Sequence, residues 1–148
     1  MNGSKPILLV EDDVADAFFL QWAFRSAGLL HPVYVAGTAH HAINYLVGTG
    51  PFSNRCYFPL PLAIVLNLHA PALADLMVRD CIRNTRDLAD LPLITLASMP
   101  APEIPIHSKQ TFRFWKPTDP DSFLALAKSI AAILVNQNDT SRPNAQAA

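Results

Sequence analysis

Short segments of the chain are apolar at almost every position, without alternation of polar and apolar residues. The clearest spans residues 62–68, where Asn67 is the only polar residue. Uninterrupted apolar runs of this length are typical of strands buried on both faces of a parallel sheet. A short buried helix has a similar pattern, but Pro59, Pro61 and Pro71 flank the run and favour a strand. Asn67 is therefore expected near the carboxyl end of a central strand.

The same criteria predict five strands that alternate with four helices. The predicted strands are residues 7–10, 32–36, 62–68, 93–97 and 112–115, and the predicted helices are residues 14–27, 39–47, 73–84 and 121–135. Asp13, Thr38 and Asp119 precede three of these helices and are suitable N-caps. This alternation predicts a doubly wound α/β fold, a five-stranded parallel sheet with helices on both faces.

The first predicted helix is rich in aromatic residues. Apolar residues recur in it at spacings of three and four, which places them on a helical stripe: Ala15, Phe18, Phe19, Trp22, Ala23 and Phe24. We expect this stripe to belong to the hydrophobic core and not to a cofactor site.

Two regions are expected to be irregular. Three prolines interrupt residues 98–111, which predicts an irregular segment or a single distorted turn, because each proline removes a backbone donor and fixes φ. Residues 1–136 are predicted to form one domain. Residues 137–148 are polar, contain Pro143 and are predicted to be a flexible tail.

The composition limits the classes of partner. Of 148 residues, 51% are hydrophobic and 16% are charged, against roughly 25% charged in typical soluble domains, so a partner or a second copy is expected to cover part of the surface. A net charge of -1 gives no electrostatic basis for nucleic-acid binding. No apolar run approaches the ~20 residues of a membrane span, and the first residues lack a signal peptide. We expect a cytoplasmic protein in which Cys56 and Cys81 are free thiols.

Candidate chemistry is concentrated where the predicted strands end. Glu11 and Asp12 follow the first strand, Asn67 lies near the end of the third, Ala97 ends the fourth, and Lys116 follows the fifth. Because the carboxyl ends of parallel strands meet at one edge of the sheet, these residues are expected to converge there.

At these positions the chain resembles the response-regulator receiver domains of two-component signalling, over about residues 5–136. The resemblance rests on the acidic residues after the first strand, on the strand that ends at Asn67 with Pro71 four residues later, and on the Lys116-Pro117 pair. It implies a flavodoxin-like receiver fold and a non-enzymatic role in a phosphorelay. The long loop at residues 48–61 is similar to that of the single-domain regulators that accompany phytochrome-type histidine kinases, which implies such a kinase or another signalling protein as partner.

The resemblance also identifies parts of the receiver site that this chain lacks. Receivers use an Asp to accept a phosphoryl group, a Ser or Thr hydroxyl to bind it, and an aromatic residue on the fifth strand to respond. Asn67 stands at the phosphoacceptor position, Ala97 at the hydroxyl position and Arg113 at the switch position. The proline-rich segment coincides with the fourth helix of receivers, which is expected to be shortened or lost. Together these changes predict a pseudo-receiver that acts by protein–protein interaction without phosphorylation at Asn67.

Glu11, Asp12 and Lys116 retain the residue types of a receiver pocket. Carboxylates suit Mg²⁺, but one lysine and an uncharged Asn67 weaken a site of only two carboxylates. No cofactor is therefore required, and Glu11 and Asp12 are the candidate ligands of a weakly held Mg²⁺. The alternative is an inherited acidic pocket into which Lys116 forms a salt bridge.

The fifth strand supplies the candidate interaction surface. Phe112, Arg113, Phe114 and Trp115, with the last helix, correspond to the side on which receivers generally dock a partner or a second copy, so a homodimer through this side is predicted. At least half of these aromatic residues are expected to be core.

Two other functions remain open at this point. One is a working phosphoreceiver that uses Asp12 or Asp13 as its acceptor. The other is a flavodoxin-like enzyme or ligand binder with a remodelled pocket, although the chain has no GxGxxG or GxxxxGK[ST] motif to support nucleotide binding.

Overall fold

A computed structural model describes residues 5–67, 72–97 and 110–140, with the side chains of residue 72 and of residues 138–140 excepted. The described residues form five strands, four α-helices and two short 3-10 helices at Gly50–Phe52 and Arg86–Leu88. The strands are β1 (Ile7–Glu11), β2 (Val33–Ala36), β3 (Ala63–Asn67), β4 (Leu93–Ala97) and β5 (Thr111–Trp115). The helices are α1 (Val14–Ser26), α2 (Ala39–Val47), α3 (Ala72–Asn84) and α4 (Pro120–Thr140).

The strands pair in parallel in the order β2-β1-β3-β4-β5. This order is that of doubly wound, flavodoxin-like sheets, so the predicted fold class is confirmed. Every residue of β1 and β3 is buried, as expected of central strands covered on both faces. The uninterrupted apolar runs therefore identified the centre of the sheet correctly.

The chain forms two compact units, of which the first comprises residues 1–18 and 31–116. The described part of this unit holds the sheet, α2 and α3. Its core combines residues of β1 and β3 with the inner faces of the two helices, among them Leu8, Val10, Ile64, Leu66, Ala42, Tyr45, Leu46, Val78 and Ile82. These residues alternate along each strand or recur every three or four positions along each helix. Their burial is the main source of stability in this unit.

The second unit comprises residues 19–30 and the chain from residue 117 onward. The Phe19 and Phe123 rings lie 5.6 Å apart between centroids and are tilted by 35°. Asp119 caps α4, because its Oδ1 accepts from the Ser122 backbone N–H at 2.7 Å and its own N–H donates to Ser122 Oγ at 3.1 Å. This reciprocal pair, with Pro120 as the first helical residue, confirms the predicted start of α4.

Two expectations about the helices were wrong in part. In α1 the predicted core residues Ala23 and Phe24 are buried, as is Leu20. Phe18, Phe19 and Trp22, which were predicted in the same stripe, are 65%, 41% and 42% exposed. This helix is apolar on more than one face, so aromatic spacing alone did not identify the buried one. Helix α4 continues to Thr140, so the predicted tail from residue 137 begins inside a helix. Residues 136–140 are polar but contain no proline or glycine, so polarity alone does not end the helix there.

The predicted loss of the fourth helix concerns residues 98–109, which lie outside the described residues, as does the chain from residue 141. Cys56 and Cys81 are free thiols, as expected. Among the helices that the structure describes, none has the length and apolarity needed to cross a membrane.

Arg55, in the loop between α2 and β3, connects this loop to the end of α2 by hydrogen bonds. Arg55 Nη1 donates to Tyr45 O at 2.7 Å and to Phe58 O at 3.1 Å, and its Nη2 donates to Leu46 O at 2.8 Å. The guanidinium thus satisfies carbonyls in the last turn of α2, which no intrahelical donor can reach. Gly48 follows with φ +80°, and a Cβ there would lie 2.7 Å from Arg55 Nη2. Glycine at this position serves both the left-handed helix end and the space for Arg55.

Candidate functional site

The ends of the strands bring the predicted site residues together in two pairs. In the β1–β3 ladder Glu11 is the direct partner of Asn67. In the β4–β5 ladder Ala97 is opposite Trp115, and the Lys116 backbone N–H donates to Ala97 O at 2.7 Å. The predicted convergence at the carboxyl edge of the sheet is therefore present for Glu11 with Asn67 and for Ala97 with Lys116.

Glu11 is a buried carboxyl group with two donors. Its side chain is 2% exposed, and that of Asn67 is 4% exposed. Asn67 Nδ2 donates to Glu11 Oε2, and the Asp13 backbone N–H donates to Glu11 Oε1 at 2.9 Å. Asn67 thus supplies a donor to the carboxyl group, where an Asp in its place would supply a second negative charge.

The environment of Glu11 raises the pKa of its carboxyl group to about 7. Burial is the main cause, because it disfavours the charged form, and the nearby Asp16 carboxylate acts in the same direction. The Asp13 N–H, the Asn67 amide and the Lys116 ammonium act in the opposite direction and only partly offset the burial. Near neutral pH, Glu11 is therefore a mixture of the charged and the neutral form.

Asp16 is a further residue at this site that was not predicted from the sequence. Its Oδ2 lies 2.9 Å from Lys116 Nζ, and the two side chains are 22% and 18% exposed. An acidic residue in the first turn of a helix is common because it suits the helix dipole, so its position in the sequence does not assign Asp16 to the site. The interpretation in which Lys116 forms a salt bridge with an acidic residue of the pocket is consistent with this geometry. Glu11, Asp16, Asn67 and Lys116 are called the strand-edge cluster below.

The described side chains do not fit a tightly held divalent cation. Mg²⁺ requires several oxygen ligands in near-octahedral geometry. Both carboxyl oxygens of Glu11 already accept hydrogen bonds, and Asp16 is paired with Lys116. Within the described ranges no three or more His, Cys, Asp or Glu side chains are grouped so as to hold a metal ion. A weak Mg²⁺ site at Glu11 and Asp12 stays a prediction.

The two alternative phosphoacceptors differ in their surroundings. Asp13 Oδ1 accepts from the Asp16 backbone N–H at 2.9 Å, so Asp13 is the N-cap of α1, as predicted. Asp12 is exposed. Phosphorylation of Asp13 would remove the cap of α1.

The residues of β5 alternate between its two faces. Phe112 and Phe114 are half-buried, whereas Arg113 and Trp115 are exposed, Trp115 by 66%. In the described sheet β5 is an edge strand. Arg113 and Trp115 are therefore the more accessible members of the predicted interaction surface.

The raised pKa of Glu11 leads to a pH-dependent stability. The pKa of the Glu11 carboxyl group is 4.5 in the unfolded chain and about 7 in the folded protein. Below pH 4.5 the group is protonated in both states, so its burial carries no charge penalty. As the pH rises from 4.5 to about 7, the unfolded state loses its proton first, and stability falls. We expect the free energy of unfolding of the wild type, relative to Glu11→Gln, to fall by roughly 2 to 3 kcal/mol over this interval and then to level off. Urea unfolding of both proteins at several pH values measures the difference, and a difference that does not vary with pH would contradict it.

Known proteins similar to this chain include response regulators. Response regulator Rcp1 of Synechocystis sp. is 29% identical over 97 residues, which cover 66% of this chain and 64% of Rcp1. The crystal structure of the phosphorylated cyanobacterial phytochrome response regulator RcpA matches with a TM-score of 0.74 at 22% identity, over 90% of this chain and 96% of RcpA. The Mn²⁺-bound form of Rcp1 matches with a TM-score of 0.72 at 23% identity, over 86% of this chain and 92% of that structure. No protein-family model matches the chain.

These similarities differ in what they establish. The two solved structures share less than a quarter of their residues with this chain, so they establish the fold. The sequence alignment spans less than two thirds of the length of Rcp1. The phosphorylated and Mn²⁺-bound states belong to those proteins.

Proposed function

From its similarity in sequence and fold to the response-regulator receiver domains associated with phytochromes, we propose that this chain acts in two-component signalling as a pseudo-receiver. It takes part through protein–protein contacts and is not phosphorylated at the usual acceptor position. The proposal includes no enzymatic activity and no required cofactor. Its partner is a histidine kinase of the phytochrome type or another protein of the same pathway, in the cytoplasm.

The observation that supports the proposal is the contact between Asn67 and Glu11. A receiver accepts a phosphoryl group when a carboxylate oxygen attacks phosphorus. The Asn67 side chain has no anionic oxygen, and its nitrogen is directed to Glu11 as a hydrogen-bond donor. The amide stabilises the charged form of the buried Glu11 carboxyl group by donating a hydrogen bond, and it adds no negative charge that could bind a metal ion.

The side chains that bind the phosphoryl group and respond to it in receivers are also absent from this chain. Ala97, at the end of β4, has no hydroxyl with which to hold a phosphoryl group. Arg113 is exposed on β5 where an aromatic switch residue is expected from the receiver resemblance. A surface that cannot be switched by phosphate is suited to a constant interaction, and the low proportion of charged residues favours a protein partner or a second copy. The exposed Arg113 and Trp115 are proposed to contribute to that contact.

The test is treatment of the wild type with acetyl phosphate and Mg²⁺, followed by intact-mass analysis and size-exclusion chromatography. We expect no added phosphate, because the residue at position 67 lacks a nucleophilic oxygen, and no change in oligomeric state. Peptide mapping distinguishes the alternative, since a phosphate on Asp12 or Asp13 would assign the chain to working phosphoreceivers with an unusual acceptor. A phosphate-driven change in oligomeric state would refute the pseudo-receiver proposal.

A further inference from the structure

The ion pair in the strand-edge cluster is fixed at both ends. The Lys116 backbone continues β5 through its hydrogen bond to Ala97 O, and its ammonium lies 2.9 Å from Asp16 Oδ2. The Asp16 backbone N–H donates to Asp13 Oδ1 in the first turn of α1. Both side chains are at least three-quarters buried, at 18% and 22% exposure. The pair therefore differs from flexible surface ion pairs, which contribute little and are readily exchanged.

The ion pair with Asp16 limits the interactions that the Lys116 ammonium group can make with other negative charges. Transfer of a phosphoryl group to a side chain at position 67 would place negative charge at the edge of the sheet, and a nearby ammonium group would stabilise that charge. Asp16 already neutralises Lys116, so the ammonium would have to leave Asp16 before it could stabilise a phosphoryl group. The two requirements compete for one cation.

We propose that Asp16 is a positioning residue that commits Lys116 to the start of α1, so that the cluster resists phosphoryl transfer even when position 67 carries a carboxylate. The inference rests on the proposed function and deepens it. The chain is then closed to phosphorylation by two separate features, the Asn67 amide and the Asp16–Lys116 ion pair. Restoring the nucleophile alone does not restore an efficient receiver.

The experiment compares the rates at which acetyl phosphate with Mg²⁺ labels Asn67→Asp and Asp16→Asn/Asn67→Asp. In the reaction, an oxygen of the introduced carboxylate forms a new P–O bond, the P–O bond to the acetyl group breaks, and acetate leaves with the electron pair. Intact-mass analysis over time gives the rate. We expect the double variant to be labelled about tenfold faster, which corresponds to the loss of one partly buried charge competitor.

Three controls, each in the Asn67→Asp background, separate positioning from general effects. Asp16→Glu keeps a carboxylate in the first turn of α1 and should stay slow. Asp75→Asn removes an acid from the first turn of α3, where Asp75 Oδ2 lies 2.6 Å from Arg79 Nε at 24% and 18% exposure, and should also stay slow. Adding Lys116→Met to the fast double variant should abolish the gain, because the gain depends on the released ammonium.

The outcomes distinguish this inference from the function on which it rests. Phosphate on the wild-type protein after treatment with acetyl phosphate and Mg²⁺ would overturn both proposals. Equal rates for Asn67→Asp with and without Asp16→Asn would overturn the role of Asp16 and leave the pseudo-receiver intact. An equal gain from Asp75→Asn would also overturn it, because the effect would then be one of net charge. If Asp16→Asn prevents folding, as judged by thermal melting, Asp16→Ser gives the same comparison.

Discussion

An Asn67→Asp variant is expected to be less stable than the wild type without metal, and to gain a stabilisation by Mg²⁺ that the wild type lacks. The substitution replaces the donor to Glu11 by a second carboxyl group in a site where both residues are at most 4% exposed. Two neighbouring carboxylates in a buried site cannot both be charged without a large penalty. We expect the free energy of unfolding at neutral pH to fall by roughly 2 to 4 kcal/mol.

Mg²⁺ should reverse much of this loss, because two adjacent carboxylates form the kind of oxygen site that it binds. Thermal melting with and without millimolar Mg²⁺ measures the effect, since a ligand that binds the folded state raises its stability. Asn67→Ala is the matched control, because it removes the donor without adding a charge and should show no Mg²⁺ response. A melting temperature of Asn67→Asp that equals the wild type and ignores Mg²⁺ would show that side chain 67 does not face Glu11.

Removal of Arg55 is expected to be the most destabilising change outside the strand-edge cluster. Its guanidinium makes three hydrogen bonds to carbonyl oxygens of Tyr45, Leu46 and Phe58. Arg55→Ala would leave these acceptors without their charged donor and would release the loop from the end of α2. Hydrogen bonds that involve a charged group contribute more than neutral ones, and we expect a loss of about 3 kcal/mol in the free energy of unfolding.

Urea unfolding of Arg55→Ala beside Arg83→Ala tests this expectation. Arg83 Nη2 lies 3.2 Å from Asp80 Oδ1, and both of these side chains are more than half exposed. Its removal should therefore change stability by no more than about 0.5 kcal/mol. Similar losses in the two variants would mean that Arg55 acts only as a surface charge.

The sequence was most informative where burial is complete. The runs that became β1 and β3 have no polar face, so a strand between two layers was the simple interpretation, and the Asn67 position followed from the strand end. In contrast, α1 has apolar residues around much of its circumference, and the burial of Leu20 in place of Phe18 depends on tertiary contacts. The continuation of α4 through Asn136 and Gln137 was missed for the related reason that polarity does not by itself end a helix.

For the site, the order of the predicted strands indicated which residues would lie at the same edge of the sheet. It did not indicate which of them would contact each other. The contact between Glu11 and Asn67 follows from the register of two neighbouring strands. The contact between Asp16 and Lys116 joins a helix to the end of a distant strand, and residue spacing contains no information about it. Arg55 is similar, because nothing in the loop sequence indicates that this arginine turns back to the carbonyls of α2.

The charge of Arg113 has a consequence for the behaviour of the protein in concentrated solution. Strand β5 lies at an edge of the described sheet and has the sequence Thr-Phe-Arg-Phe-Trp. An edge strand of aromatic and β-branched residues is a template for unwanted strand pairing between molecules. Arg113 is the one charge in that strand, and charged residues at such positions act as gatekeepers against aggregation. An aromatic residue there would leave five consecutive uncharged residues at this edge of the described sheet, so we expect Arg113 to favour solubility in a chain of which only 16% of residues are charged.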